Sequence, residues 1–288
     1  MNLFTQAIFS GLTAGAVYAL LAVGLVIAYR TTRVVNLAHG ESYAIAGTVI
    51  SLLDRAQVPL PLAMAAGIAA AMLFLWGLDR VILRPRSHWP VGSLILVTLG
   101  VAFLSRGVLM LAAGVDPLSF ARILSGRPVR LFGGIIARQA ILLIVVSAVA
   151  AIIIGYFLAR TRFGRQLRAT AEHPEAAQLM GVNVHATRAV AFLLAGALGG
   201  LAAALLVPLV PVDFQAGLGM TLRGFIAAAL AGMAPGASVI CGFLLGLFEA
   251  FVTTYGGALA SDPVVFLVLI AAALWRSRAI RFEGRARA

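Results

Sequence analysis

Apolar runs long enough to cross a bilayer limit this chain more than any other feature. Stretches at about 5–29, 59–83, 91–113, 135–158, 188–210 and 236–256 reach or approach the roughly 20 residues that a helix needs to traverse the hydrocarbon layer. In that layer every backbone N–H and C=O must be satisfied internally, so runs of this length enter as helices. Shorter runs at 38–53, 219–233 and 262–275 raise the expected number of spans to eight or nine. Each is a little-tilted span, a span extended by its flanks, or a re-entrant segment shielded by protein. The expected fold class is all-α: a polytopic membrane helix bundle of about 8–9 spans, forming one domain over 1–288.

Charge supports the same reading. Only 11% of residues are charged, against about 25% for a soluble domain. The net charge of +12 comes entirely from arginine, placed mostly between or beyond the apolar runs. Such placement fits orientation by positive loops and not a groove for nucleic acid. With nine spans and an external N-terminus, the internal segments hold Arg30, Arg33, Arg80, Arg84, Arg86, Arg160, Arg162, Arg165, Arg168, Arg188 and five tail arginines. Outside fall Arg55, Arg122, Arg127, Arg130, Arg138 and Arg223, while Arg106 lies within a span. The asymmetry makes 159–188 and the C-terminus cytoplasmic. The N-terminus lacks a positive segment and reads as the start of the first span, not a removed signal. The one cysteine, Cys241, excludes a disulfide within the chain, and neither a metal site nor a cofactor is expected.

Three GxxxG patterns, Gly11–Gly15, Gly196–Gly200 and Gly242–Gly246, read first as helix-packing surfaces, because small residues let backbones approach in lipid. Chemistry concentrates elsewhere. The stretch 36-NLAHGES-42 sets Asn36, His39 and Glu41 around Gly40 where an apolar helix starts. It is either a helix break lining a substrate route or a plain cap. Glu249 and Arg106 lie inside apolar runs, where a charge costs about 2.5–3.5 kcal/mol on insertion scales. Each therefore faces protein or water, as a functional group or as half of an interhelical pair. The stretch 232-GMAPGAS-238 reads as a hairpin turn with Pro235 opening the next helix, or else as a short re-entrant loop beside the pathway.

Between two apolar runs, 164-GRQLRATAEHPEAAQLMGVNVHATR-188 looks like the surface of a soluble protein. Pro174 can open a helix, Glu175 suits its positive end, and Gly181 can close it. About two turns result, too short and polar to span. Such a helix either lies on the membrane or inserts into a groove on a partner.

The run 175-EAAQLMG-181 resembles the EAA---G loop of ABC importer permeases. More of the chain resembles one branch, the permeases of branched-chain amino-acid importers. The resemblance rests on 11-GLTAGAVYALLAVGLVIAY-29 with 35-VNLAHGE-41, on 163-FGRQLRATAEHPEAAQLMGVNV-184 and on 224-GFIAAALAGMAPGASVICGFLLGLFEA-250. It implies half of a transmembrane pore in a bacterial cytoplasmic membrane, beside an identical or paralogous permease. It further implies ATP-binding cassette subunits docking on the cytoplasmic loop about 159–188, at Glu175, Ala176, Ala177 and Gly181. A periplasmic or extracellular binding protein would deliver an amino-acid substrate past Asn36, His39, Glu41 and Glu249. A P-loop needs a lysine for the nucleotide phosphates, and this chain has none, so ATP hydrolysis belongs to another polypeptide.

Two rivals stand beside this reading. An ion-gradient transporter would use intramembrane carboxylates, for which Glu41 and Glu249 are available. A membrane-embedded enzyme would need a nucleophile with a base or clustered metal ligands, which four scattered histidines and Cys241 do not supply.

Overall fold

A computed structural model of the chain describes residues 2–257 together with Pro263, Val264 and Leu267. Those three positions apart, the span expected at 262–275 lies outside the described residues. The first helix, α1 (Leu3–Thr32), is 30 residues long and opens on the Asn2 side chain, which accepts from Phe4 N–H. It is apolar all round, the pattern of a helix enclosed by protein. Its most apolar stretch is 83% buried, against 22% for α3 (Leu60–Gly77, continued by a π-helical turn Leu78–Leu83), α4 (Val91–Ala113), α5 (Arg138–Arg160) and α10 (Pro235–Gly256). Helix α8 (Val184–Leu206) is intermediate at 67%. So α1 and α8 form the centre, and the other long helices carry the outer, exposed surface.

The glycine patterns explain how helices with no hydrophobic force between them hold together. Gly11 and Gly15 of α1 face Gly242 and Gly246 of α10. A Cβ on Gly15 would come within 2.8 Å of the Phe243 Cα, and one on Gly242 within 2.6 Å of the Ala19 Cα. Gly196 and Gly200 of α8 face Ala71, Met72 and Ile68 of α3 in the same way. All three patterns are packing surfaces.

Six helices are long and apolar enough to cross a membrane among the described residues. The runs expected at 38–53 and 219–233 form α2 (Glu41–Arg55) and α9 (Ala216–Leu230), of 15 residues each. At 1.5 Å per residue these are about 22 Å long, short of the ~30 Å hydrocarbon layer.

The all-α expectation missed a hairpin, β1 (Val129–Leu131) and β2 (Gly134–Ile136). Its turn residues Phe132 and Gly133 both have positive φ, 48° and 78°, the backbone of a two-residue hairpin turn. It sits on the start of α1, where Asn2 N–H donates to Gly133 O at 3.2 Å and the Thr5 hydroxyl to Phe132 O at 3.1 Å. At the opposite end of the bundle, α5 leads into two helices, α6 (Arg162–Glu172) and α7 (Pro174–Leu179). Thr161 caps α6 by accepting from Gly164 N–H at 3.2 Å. The 232–236 stretch is a tight turn, with positive φ at Gly232 and Met233 and Pro235 as the first residue of α10.

Candidate functional site: a polar break in the bundle

After Arg33 the chain runs back along α1 and does not leave the bundle. The Asn36 side chain turns it, accepting from Ala38 N–H at 3.0 Å. His39 Nε2 then lies 3.0 Å from the carbonyl of Leu21, near the middle of α1, so that nitrogen carries the proton. Thus α2 starts at mid-bundle depth. Leu37 N–H donates to Thr98 Oγ1 of α4 at 3.0 Å, and Gly40 N–H to Thr221 Oγ1 of α9 at 2.7 Å. The break is satisfied by side chains from two neighbouring helices.

Gly40 permits this closeness, since a Cβ there would overlap the Gly217 carbonyl and the Thr221 backbone. As a result the first turns of α2 and α9 lie against each other. Each presents unsatisfied N–H groups and a partial positive charge. The fully buried Glu41 carboxylate occupies that junction, at the first residue of α2 and against Gly217 of α9. Its Oε1 accepts from Arg106 Nε of α4 at 3.1 Å. Asn36 Nδ2, His39 Nδ1, Glu41 Oε2 and Arg106 Nη2 are buried without a hydrogen-bond partner in the structure.

A second ion pair joins α9 to α10. Arg223 of α9 grips Glu249 of α10 through Nη2–Oε1 at 2.6 Å and Nε–Oε1 at 3.0 Å, and its guanidinium stands 5.9 Å from the Tyr18 ring centre. Tyr18 also lines an open, mainly apolar cavity of about 310 Å³ along α1, with Gln6, Ser10, Thr13 and Met220. A third pair, Arg188 to Asp79, ties the start of α8 to the end of α3.

Asn36, His39 and Glu41 are therefore assembled at one place, with Arg106 joined to them. Glu249 belongs to a separate pair. The sequence reading set Arg223 among the external arginines; it lies inside α9, because a carboxylate on the adjoining helix neutralises it there. Gly217, Thr221 and Asp79 also escaped that reading. The spacing of Gly217 and Thr221, four apart on one helix face, was the only available signal.

The short helix α7 is built as its residues require. Pro174 occupies its first position, and Gly181, with φ 82°, ends it. Val182 N–H donates to Ala177 O and Gly181 N–H to Gln178 O, both at 3.0 Å, the paired bonds of a Schellman cap. Ala177 is buried and anchors the helix, while Leu179 and Met180 are 90% and 85% exposed. Glu175, Ala176 and Gly181 are exposed beside them.

Residues 7–274 match the family described as branched-chain amino acid transport system, permease component. The chain belongs to that family. Among its relatives, the high-affinity branched-chain amino acid transport system permease protein BraD of Pseudomonas aeruginosa is 31% identical, over 96% of this chain and 95% of its own. The corresponding permease protein LivH of Escherichia coli K12 is 29% identical, covering 93% and 92%. A probable branched-chain amino acid transport permease protein, LivH of Methanocaldococcus jannaschii, is 30% identical over 88% and 85%. The protein is a multi-pass membrane permease component and not itself an enzyme.

Proposed function

We propose that this permease is one of two pore subunits, identical or paralogous, of an ATP-driven importer in the bacterial cytoplasmic membrane. It moves branched-chain or related amino acids into the cytoplasm. ATP-binding cassette subunits dock on α7, and a binding protein outside the membrane delivers the substrate. The observation that carries this reading is α7 itself. A capped two-turn helix holding Leu179 and Met180 almost fully in the open fits a groove on a soluble partner. Glu175, Ala176, Ala177 and Gly181 shape that helix, and the loop about 159–188 belongs to the single permease domain.

The polar break is the natural wall of the pathway. Irregular backbone at membrane depth is tolerated where protein shields it or where it lines a route, and transporters place such breaks beside their substrates. Asn36 turns the chain at the break, His39 ties it to α1 and Glu41 sits where α2 meets α9, while Arg223, the partner of Glu249, stands over Tyr18 at the cavity along α1. Counting α2 and α9 as membrane segments gives eight within the described residues, in keeping with eight or nine in the whole chain.

Co-expression with neighbouring ATPase genes tests this. The ATPase should co-purify with the chain, and proteoliposomes should take up branched-chain amino acids only with ATP and the external binding protein. Glu175→Lys and Gly181→Pro should abolish uptake while the protein still inserts. Uptake by this chain alone under a proton or sodium gradient would overturn the assignment.

A further inference from the structure

A cavity of about 260 Å³ lies where α1 ends, between α1, α6 and the turn joining α9 to α10, and Arg30, Arg33 and Arg168 line it. Each guanidinium is held by a backbone carbonyl. Arg30 Nε donates to Met233 O at 3.3 Å, Arg33 Nη2 to Ala171 O, and Arg168 Nη1 to Leu158 O at 2.7 Å. These acceptors are neutral, so they fix the arginines without cancelling their charge. The charges of Arg33 and Arg168 both act on Arg30. Glu172 is the one carboxylate in the lining, which leaves two positive charges in excess. None of the three ion pairs among the described residues involves any of these four groups.

The backbone holds the lining in place. Only four non-glycine residues among those described have positive φ, and two of them, Arg33 at 57° and Met233 at 56°, line this cavity. At Arg33 this is the left-handed cap that ends α1, and at Met233 the turn between α9 and α10, so both walls of the cavity have a fixed backbone. Here the strained cap of α1 directs the Arg33 side chain onto α6.

We propose that this cavity binds a phosphate group. Its several oxygens can take parallel N–H donors from more than one guanidinium, and its charge matches the excess better than one carboxylate would. The end of a membrane helix on the arginine-rich side puts the cavity within reach of the headgroup of an anionic phospholipid and of free phosphate.

The test uses the full-length chain in neutral detergent, with native mass spectrometry for retained phosphatidylglycerol against phosphatidylcholine, and calorimetric titration with inorganic phosphate. Selective retention of phosphatidylglycerol identifies a headgroup; phosphate binding that displaces it identifies the free anion. In either case Arg33→Gly and Arg168→Gln should each weaken binding by about tenfold or more, the loss of a charge-assisted contact. Arg127→Gln, near the hairpin, should leave it unchanged. Glycine adopts the φ of position 33 without strain, so Arg33→Gly removes the charge while keeping the fold, and a thermal melt verifies this. Absence of binding of both probes to the unmodified chain, or equal binding by Arg33→Gly, overturns the proposal.

Discussion

Gly217 lies directly against the Glu41 carboxylate, and no side chain at position 217 fits while that carboxylate stays in place. The first turns of α2 and α9 can share one buried negative charge only because two glycines, Gly40 and Gly217, let them meet. Gly217→Ala should therefore cost about 1–3 kcal/mol, as overpacking does. Gly92→Ala, at a helical glycine with open space around it, should be neutral or slightly stabilising. Thermal unfolding of the two purified variants separates these outcomes.

The Glu41–Arg106 pair should behave as a unit. Removing one partner leaves an uncompensated buried charge, so Glu41→Gln or Arg106→Gln alone should lose about 3–5 kcal/mol. The double substitution should lose less than the sum of the single losses. A double-mutant cycle measures the coupling, and strict additivity would show that the two side chains do not interact.

The α1–α10 contact rests on backbone meeting backbone, so it should tolerate no added methyl group. Gly15→Ala and Gly242→Ala should each lower the melting temperature by several degrees, following roughly 1–3 kcal/mol of strain. Gly236→Ala, at the exposed start of α10 with nothing within 4 Å, is the matched control and should not.

Leu179 and Met180 contribute almost nothing to the fold of the isolated chain. Leu179→Asp and Met180→Asp should leave the melting temperature unchanged, since exposed substitutions usually stay within about 0.5 kcal/mol. Both should reduce ATP-dependent uptake by tenfold or more and release the ATPase during purification. Full uptake by both variants would remove α7 from the docking surface.

Much of the bundle was legible because lipid imposes one simple rule on the backbone. The run at 91–113 coincides with α4, that at 236–256 matches α10 to within a residue, and that at 59–83 matches α3 together with its π-helical turn Leu78–Leu83. The ends of α7 were legible for the same kind of local reason, a proline at one end and a glycine at the other. What stayed hidden depends on pairs distant in sequence. Nothing around Arg106 announces Glu41, and nothing around Glu249 announces Arg223, because each partner arrives on another helix. The hairpin was missed because its turn, Phe132-Gly133, lacks the usual Asn-Gly or Asp-Gly signal. Of α6, the capping Thr161 and the amphipathic spacing of Leu167 and Thr170, both buried, could have given notice.

The enclosure of α1 bears on how the protein is made. Among the described spans, the earliest in the chain is the one most enclosed by the rest of the bundle. Its glycine face is covered by α10, more than 200 residues later. During synthesis α1 must therefore wait in the bilayer with Gly11 and Gly15 unmatched until α10 has been inserted. A ribosome stalled before α10 would leave behind a membrane fragment with an open seam, a ready target for membrane chaperones and proteases.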